Sequence, residues 1–172
     1  MQKAIISDIA TQSEACAEPL PRPCGIAIFG ASGDLAKRKL IPALFNLMRS
    51  GLLPDRWYVV GLGRTKMDDN EFRKTARESL NLFLPGGSVL PADAENFERR
   101  FYYLSGDSED PGYHLRLKER LAQLDKEQRV DGNRLFYLAT PPSLYAGIIK
   151  DLGGAGLNHP SDSSHWSRSV IE

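Results

Sequence analysis

A doubly wound α/β domain, its parallel sheet ordered 3-2-1-4-5, is what this sequence predicts, and three observations predict it. Short apolar or aromatic runs recur at residues 26–29, 57–63, 101–104, 134–139 and 166–172. Segments with helical apolar spacing stand between them. The first run ends in a glycine turn that opens directly into a helix-forming stretch. Alternating strands and helices of this kind assemble as a parallel sheet covered on both faces. With 172 residues, one domain over residues 24–172 is expected, behind a mobile leader over residues 1–23. That leader contains Asp8, Glu14 and Glu18, so it lacks the continuous apolar core of a secretory signal.

Composition excludes several classes. Lys plus Arg (22) balance Asp plus Glu (22), leaving no charge excess to recruit nucleic acid or a membrane surface. No apolar run approaches the roughly 18–20 residues that cross a bilayer. The two cysteines, Cys16 and Cys24, are too few for a disulfide framework and have no metal-ligand company. A cytoplasmic protein without a metal is the expectation.

Taken in order, residues 24–39 read CGIAIFGASGDLAKRK. The strand stops at Gly30, and Gly33 lets backbone approach a pyrophosphate seated on the helix N-terminus; Ala36 keeps that helix close to the strand. The pattern G-x-x-G-x-x-A is a Rossmann-like variant of the dinucleotide fingerprint, and equally a glycine turn that binds nothing would show it. Leu35, Leu40, Ile41, Leu44, Leu47 and Met48 form an apolar helix face. Pro42 either kinks that helix or marks a fresh start at Ile41 or Pro42, and Gly51 is placed to cap its end. The second strand ends in Gly63-Arg64-Thr65 with no carboxylate, which favours a ribose 2′-phosphate over a free 2′-hydroxyl; the alternative is a solvated surface arginine.

Asp68 or Asp69 caps a helix through Phe72, Thr75, Ala76, Leu80 and Phe83. A short helix over residues 92–100 turns Phe97 inward, and the third strand ends at Ser105-Gly106-Asp107. Residues 113–124 form an amphipathic helix with Leu115, Leu117, Leu121 and Leu124 inward and His114 opening it at the surface. The fourth strand stops at Thr140-Pro141-Pro142, after which Ser143 is a candidate cap for a helix over residues 144–152. Of the three histidines, none is expected to act as a catalytic base: His114 belongs to a surface helix, His159 and His165 to a serine-rich loop.

The string GASGDLAKRKL followed by Pro42-Ala43-Leu44-Phe45-Asn46-Leu47 resembles the opening of the glucose-6-phosphate dehydrogenase family, and Y-L-A-T-P-P-S-x-Y at residues 137–145 is similar to the same family. The resemblance implies a domain that binds NADP through Gly30, Ala31, Ser32, Gly33, Asp34 and Leu35, of which Gly30, Ser32, Gly33, Asp34 and Leu35 would turn backbone N–H groups to the phosphates. It implies Arg64 and Thr65 on the 2′-phosphate, and Gly106, Asp107, Leu138, Ala139, Thr140 and Pro141 along the cofactor. A plain turn at Gly106-Asp107 and a plain core strand at Leu138-Ala139 fit the residues as well. Lys39 matches a family lysine that reaches toward glucose 6-phosphate; the alternative is a solvated helix face. The family's Lys-Pro-Phe-Gly segment, its catalytic Asp-His pair and its large α+β substrate domain lie beyond Glu172. The chain alone is therefore expected to be inactive, as part of a homo-oligomeric, NADP-dependent oxidoreductase of the pentose phosphate route. A non-catalytic NADP-binding or interaction module derived from that enzyme is the other reading.

Overall fold

The structure, a computed structural model, describes residues 21–86, 89–110, 112–159 and 165–171. Residues 1–20, Cys16 among them, and Glu172 lie outside the described residues, and with them all but the last three residues of the leader expected over 1–23. Five parallel strands form one sheet in the order β3-β2-β1-β4-β5, as expected. They are β1 (Cys24–Phe29), β2 (Trp57–Gly63), β3 (Phe101–Ser105), β4 (Arg134–Leu138) and β5 (Ser167–Ile171). The helices are α1 (Ile41–Arg49), α2 (Asp69–Phe83), α3 (Pro91–Glu98), α4 (Tyr113–Gln128) and α5 (Tyr145–Gly154).

Every residue of β1 is buried, because both faces of a central parallel strand are covered. Alternation divides its side chains between two cores. Ile26 and Ile28 pack with Phe45, Phe72 and Phe97 of α1, α2 and α3; Ala27 and Phe29 pack with Leu117, Leu121 and Ile148 of α4 and α5. Register aligns Phe29 with Leu62 of β2 and Leu138 of β4, so these three strands stop at one level. That common end makes room for a cleft.

The outer edge of β3 is covered by α2. Tyr103 N–H donates to Asp69 Oδ1 at 2.7 Å, and Arg73 Nε donates to the Phe101 carbonyl at 3.1 Å. These bonds occupy backbone groups that a free edge would present to another strand. Asp68 caps α2 through a reciprocal capping box with Glu71.

Local structure departs from expectation in three places. Ahead of α1, residues Ala36–Leu40 form a π-helical turn, with the Ile41 N–H bonded to the Ala36 carbonyl five residues back. Pro42 sits at the start of α1, the fresh-start alternative. Its ring would crowd the Arg38 carbonyl in a continuous α-helix, and the wider turn relieves that crowding. Second, α4 buries His114 and exposes Leu115, at 2% and 56%. Leu115 lies about 200° around the helix from Leu117, whereas His114 shares the face of Leu117, Leu121 and Leu124. Third, Ser143 does not cap α5: residues Pro142–Leu144 make a 3₁₀ turn, and Leu144 precedes α5 without a side-chain cap.

Candidate functional site: a cleft at the carboxyl ends of the strands

A cleft of about 460 Å³ lies across the carboxyl ends of β1, β2 and β4. Its size suits a ligand of cofactor dimensions, and its place is the crevice where open α/β sheets bind ligands. The floor is set by Gly30, which takes φ +79° and lies so close to β4 that an added Cβ would stand 2.3 Å from the Ala139 carbonyl oxygen. Gly30 N–H donates to the Leu62 carbonyl at 2.8 Å, tying the turn to the end of β2.

On the β2 side, Thr65 Oγ1 donates to Ser32 Oγ at 3.1 Å, joining the glycine turn to the segment after β2. Arg64 beside it is exposed and lines the cleft, with no ion pair among the described residues. On the β4 side, Thr140 Oγ1 is buried without a hydrogen-bond partner and belongs to the cleft wall. An unsatisfied buried hydroxyl on a residue of the cleft wall calls for a polar partner. The Tyr113 hydroxyl donates to the Leu104 carbonyl at 2.9 Å and closes the side formed by Gly106 and Asp107.

The family model described as "Glucose-6-phosphate dehydrogenase, NAD binding domain" matches residues 27–172. The chain belongs to the glucose-6-phosphate dehydrogenase family. A glucose-6-phosphate 1-dehydrogenase from Aggregatibacter actinomycetemcomitans is 40% identical over 149 residues, 87% of this chain and 29% of that protein. The one from Bacillus subtilis is 36% identical over 86% of this chain and 28% of its own length. A solved glucose-6-phosphate dehydrogenase in complex with its substrate glucose 6-phosphate superposes with a TM-score of 0.72 at 31% identity, over 88% of this chain and 30% of that one. The chain thus spans about 30% of the length of these dehydrogenases, the part that carries the family's NAD/NADP-binding domain.

Within this dehydrogenase domain, the cleft gathers most of the residues singled out by sequence. Gly30, Ser32, Gly33, Arg64, Thr65, Gly106, Asp107, Ala139, Thr140 and Pro141 all line it. Ala31, Asp34, Leu35, Leu138 and Lys39 do not. Ala31 and Leu138 are fully buried in the two cores, and Asp34 is exposed beside Arg38 at 3.7 Å.

The expected phosphate donors need correction. Gly30 and Ala31 N–H groups are taken by the Leu62 carbonyl, and Gly33 N–H by the Gly30 carbonyl at 2.9 Å. Lys37 N–H reaches the Gly33 carbonyl, which leaves the Ser32 N–H in the cleft wall and the first-turn N–H groups of Asp34, Leu35 and Ala36 without a backbone partner. The glycines therefore shape the site rather than donate to it. Ser108, Glu109, Tyr113, Ser143 and Leu144 also line the cleft and were missed. They come from loops and helix starts, where no periodic signal marks a position.

His114 stacks on Phe29, ring centroids 6.0 Å apart, with both nitrogens buried and unpartnered. Burial pushes its pKa down, against an opposing pull from Asp151. It does not line the cleft, and neither does His159 or His165. Among the described residues no group of three His, Cys, Asp or Glu could hold a metal. Cys24 is a buried thiol that burial pushes up to about 11. No helix of the described residues is long and apolar enough to cross a membrane.

Proposed function

We propose that this chain is the NADP-binding part of an enzyme that oxidises glucose 6-phosphate to 6-phosphoglucono-lactone, in the cytoplasm, as the first oxidation of the pentose phosphate route. The observation that carries the choice of NADP is the cluster of Arg64, Thr65 and Ser32, joined by the Thr65–Ser32 hydrogen bond on the cleft rim. A free guanidinium and two hydroxyls, with Arg64 rather than a carboxylate directly after β2, match a dianionic 2′-phosphate better than a neutral ribose hydroxyl.

NADP, when bound, supplies the hydride acceptor. The chain's own work is to hold it: first-turn N–H groups of Asp34, Leu35 and Ala36 toward the pyrophosphate, Arg64 and Thr65 at the 2′-phosphate, and Thr140 and Pro141 along the β4 side. The buried Thr140 hydroxyl without a partner supports that last assignment. Lys39 is exposed on the π-helical turn next to the cleft-forming loop, a placement that suits a lysine reaching for the sugar phosphate. The base that takes the sugar's C1 hydroxyl proton would come from the rest of the family's enzyme, which assembles as a homo-oligomer.

The test is titration calorimetry with NADP and NAD. Arg64→Ala should weaken NADP by about 10–100-fold, the loss of one charge-assisted contact, and leave NAD nearly unchanged. Equal weakening of both cofactors would remove Arg64 from the 2′-phosphate. Activity restored by adding the family's substrate domain in trans would support the enzyme reading over a binding module.

A further inference from the structure

We propose a second anion site, for a phosphate group, on Arg56, Arg99 and Arg100 at the amino ends of β2 and β3. A cavity of about 400 Å³ opens there, at the opposite end of the sheet from the cleft. Topology makes it. Arg56 immediately precedes β2, and Arg99 and Arg100 precede β3; parallel pairing of these strands sets the two approach segments side by side.

Arg100 is fixed in place. Its Nη1 donates to the Asp55 and Trp57 carbonyls at 3.3 Å each, its guanidinium lies 5.0 Å from the Trp57 ring, and its Nε is buried with no partner. Burial first and then the neighbouring Arg99 hold its pKa down. The guanidiniums of Arg56 and Arg99 are exposed and have no hydrogen bond or ion pair among the described residues. Asp55 is the carboxylate on the cavity wall. Nearby Glu98 is already held by two Arg77 hydrogen bonds of 2.6 Å. The carboxyl ends of α3 and α4 point here and offset roughly half a unit of positive charge each. Three guanidiniums exceed that offset together with Asp55, and like charge gathered around the half-buried Arg100 is relieved by a counter-anion.

The walls also select the ligand. The Trp57 ring already carries Arg100, and the Tyr102 ring carries Arg73 and Arg120 at 5.4 and 5.3 Å. With those faces occupied, no ring is left for a nucleobase to stack upon. What remains is a fork of guanidinium donors, which suits the oxygens of orthophosphate or a small phosphate monoester.

The test uses the full chain carrying Trp166→Phe, so that Trp57 is the remaining indole. Orthophosphate and glycerol phosphate are titrated separately against chloride at matched ionic strength, reading Trp57 fluorescence. Saturable changes with either phosphate are expected, and the tighter of the two assigns a free ion or an organic phosphate. Arg56→Gln with Arg99→Gln, both exposed positions, should weaken binding by about tenfold, or about 1.4 kcal/mol, while NADP binding and the thermal midpoint in chloride stay unchanged. Arg64→Ala separates this site from the cleft: it should leave the phosphate signal intact. A response no different from chloride, one insensitive to the double substitution, or one abolished by Arg64→Ala overturns the proposal.

Discussion

Gly30→Ala and Gly132→Ala place the same methyl group at nearly the same φ in two different surroundings. Gly30 has φ +79° and Gly132 φ +78°. At Gly132 an added Cβ meets nothing within 4 Å; at Gly30 it meets the Ala139 carbonyl oxygen at 2.3 Å and its carbon at 3.0 Å. The left-handed conformation costs an L-residue about 1–2 kcal/mol at either site. Alanine recovers about 0.4–1 kcal/mol by restricting the unfolded chain. Gly132→Ala should therefore cost about 1 kcal/mol or less. At Gly30 the clash is with backbone, which cannot rotate aside, so β4 must be displaced at a further cost of about 1–3 kcal/mol. The expected loss there is about 2–4 kcal/mol, a large share of an ordinary domain's 5–15 kcal/mol. Urea unfolding of the three proteins reads this as a lower midpoint at constant slope. Gly30→Ala should also weaken cofactor binding, because the displaced segment carries Ala139 and Thr140 of the cleft wall. Equal destabilisation by both substitutions, within about 0.5 kcal/mol, would refute the reasoning.

Other outcomes follow from buried polar groups. Asp125 Oδ2 accepts from Arg134 at 2.8 Å and its Oδ1 from the Tyr58 hydroxyl at 2.5 Å, all in the α4 side of the core. Asp125→Ala leaves the Arg134 charge stranded and should cost about 3 kcal/mol, against about 1 kcal/mol for Tyr58→Phe, which keeps the ion pair; chemical denaturation ranks them, and a reversed order would mean that Arg134 finds water. His114 is held neutral by burial, so its folded pKa lies below the unfolded one. Stability from this group is complete above about pH 6.5 and is lost as pH falls through the lower folded value. His114→Phe should flatten that part of the stability–pH curve, and an unchanged acid limb would show that protonated His114 is tolerated in place.

How far the sequence reached depended on the kind of signal. Strand order, an aspartate cap at Asp68 or Asp69, the glycine turn and the Arg64-Thr65 position were all readable, because each rests on local chemistry or on periodicity that neighbours do not alter. On α4 the apolar spacing places Leu117, Leu121 and Leu124 inward, as they are, but not Leu115: Leu115 is more apolar than His114, and nothing local says that Phe29 would offer His114 a ring to stack on. Which N–H groups remain for a phosphate was also beyond the sequence, since the Leu62 carbonyl that takes Gly30 and Ala31 arrives from another strand.

The sequence by itself determined the architecture, a βα alternation whose apolar runs leave one way to bury both faces of the sheet, and it determined the residue types at the cleft. Only the tertiary structure decided which of those residues share the cleft and which are spent on packing. It also decided that β2 and β3, paired in parallel, bring Arg56 alongside Arg99 and Arg100. Contacts between residues far apart in sequence depend on register and burial, and these exist only once the strands are side by side.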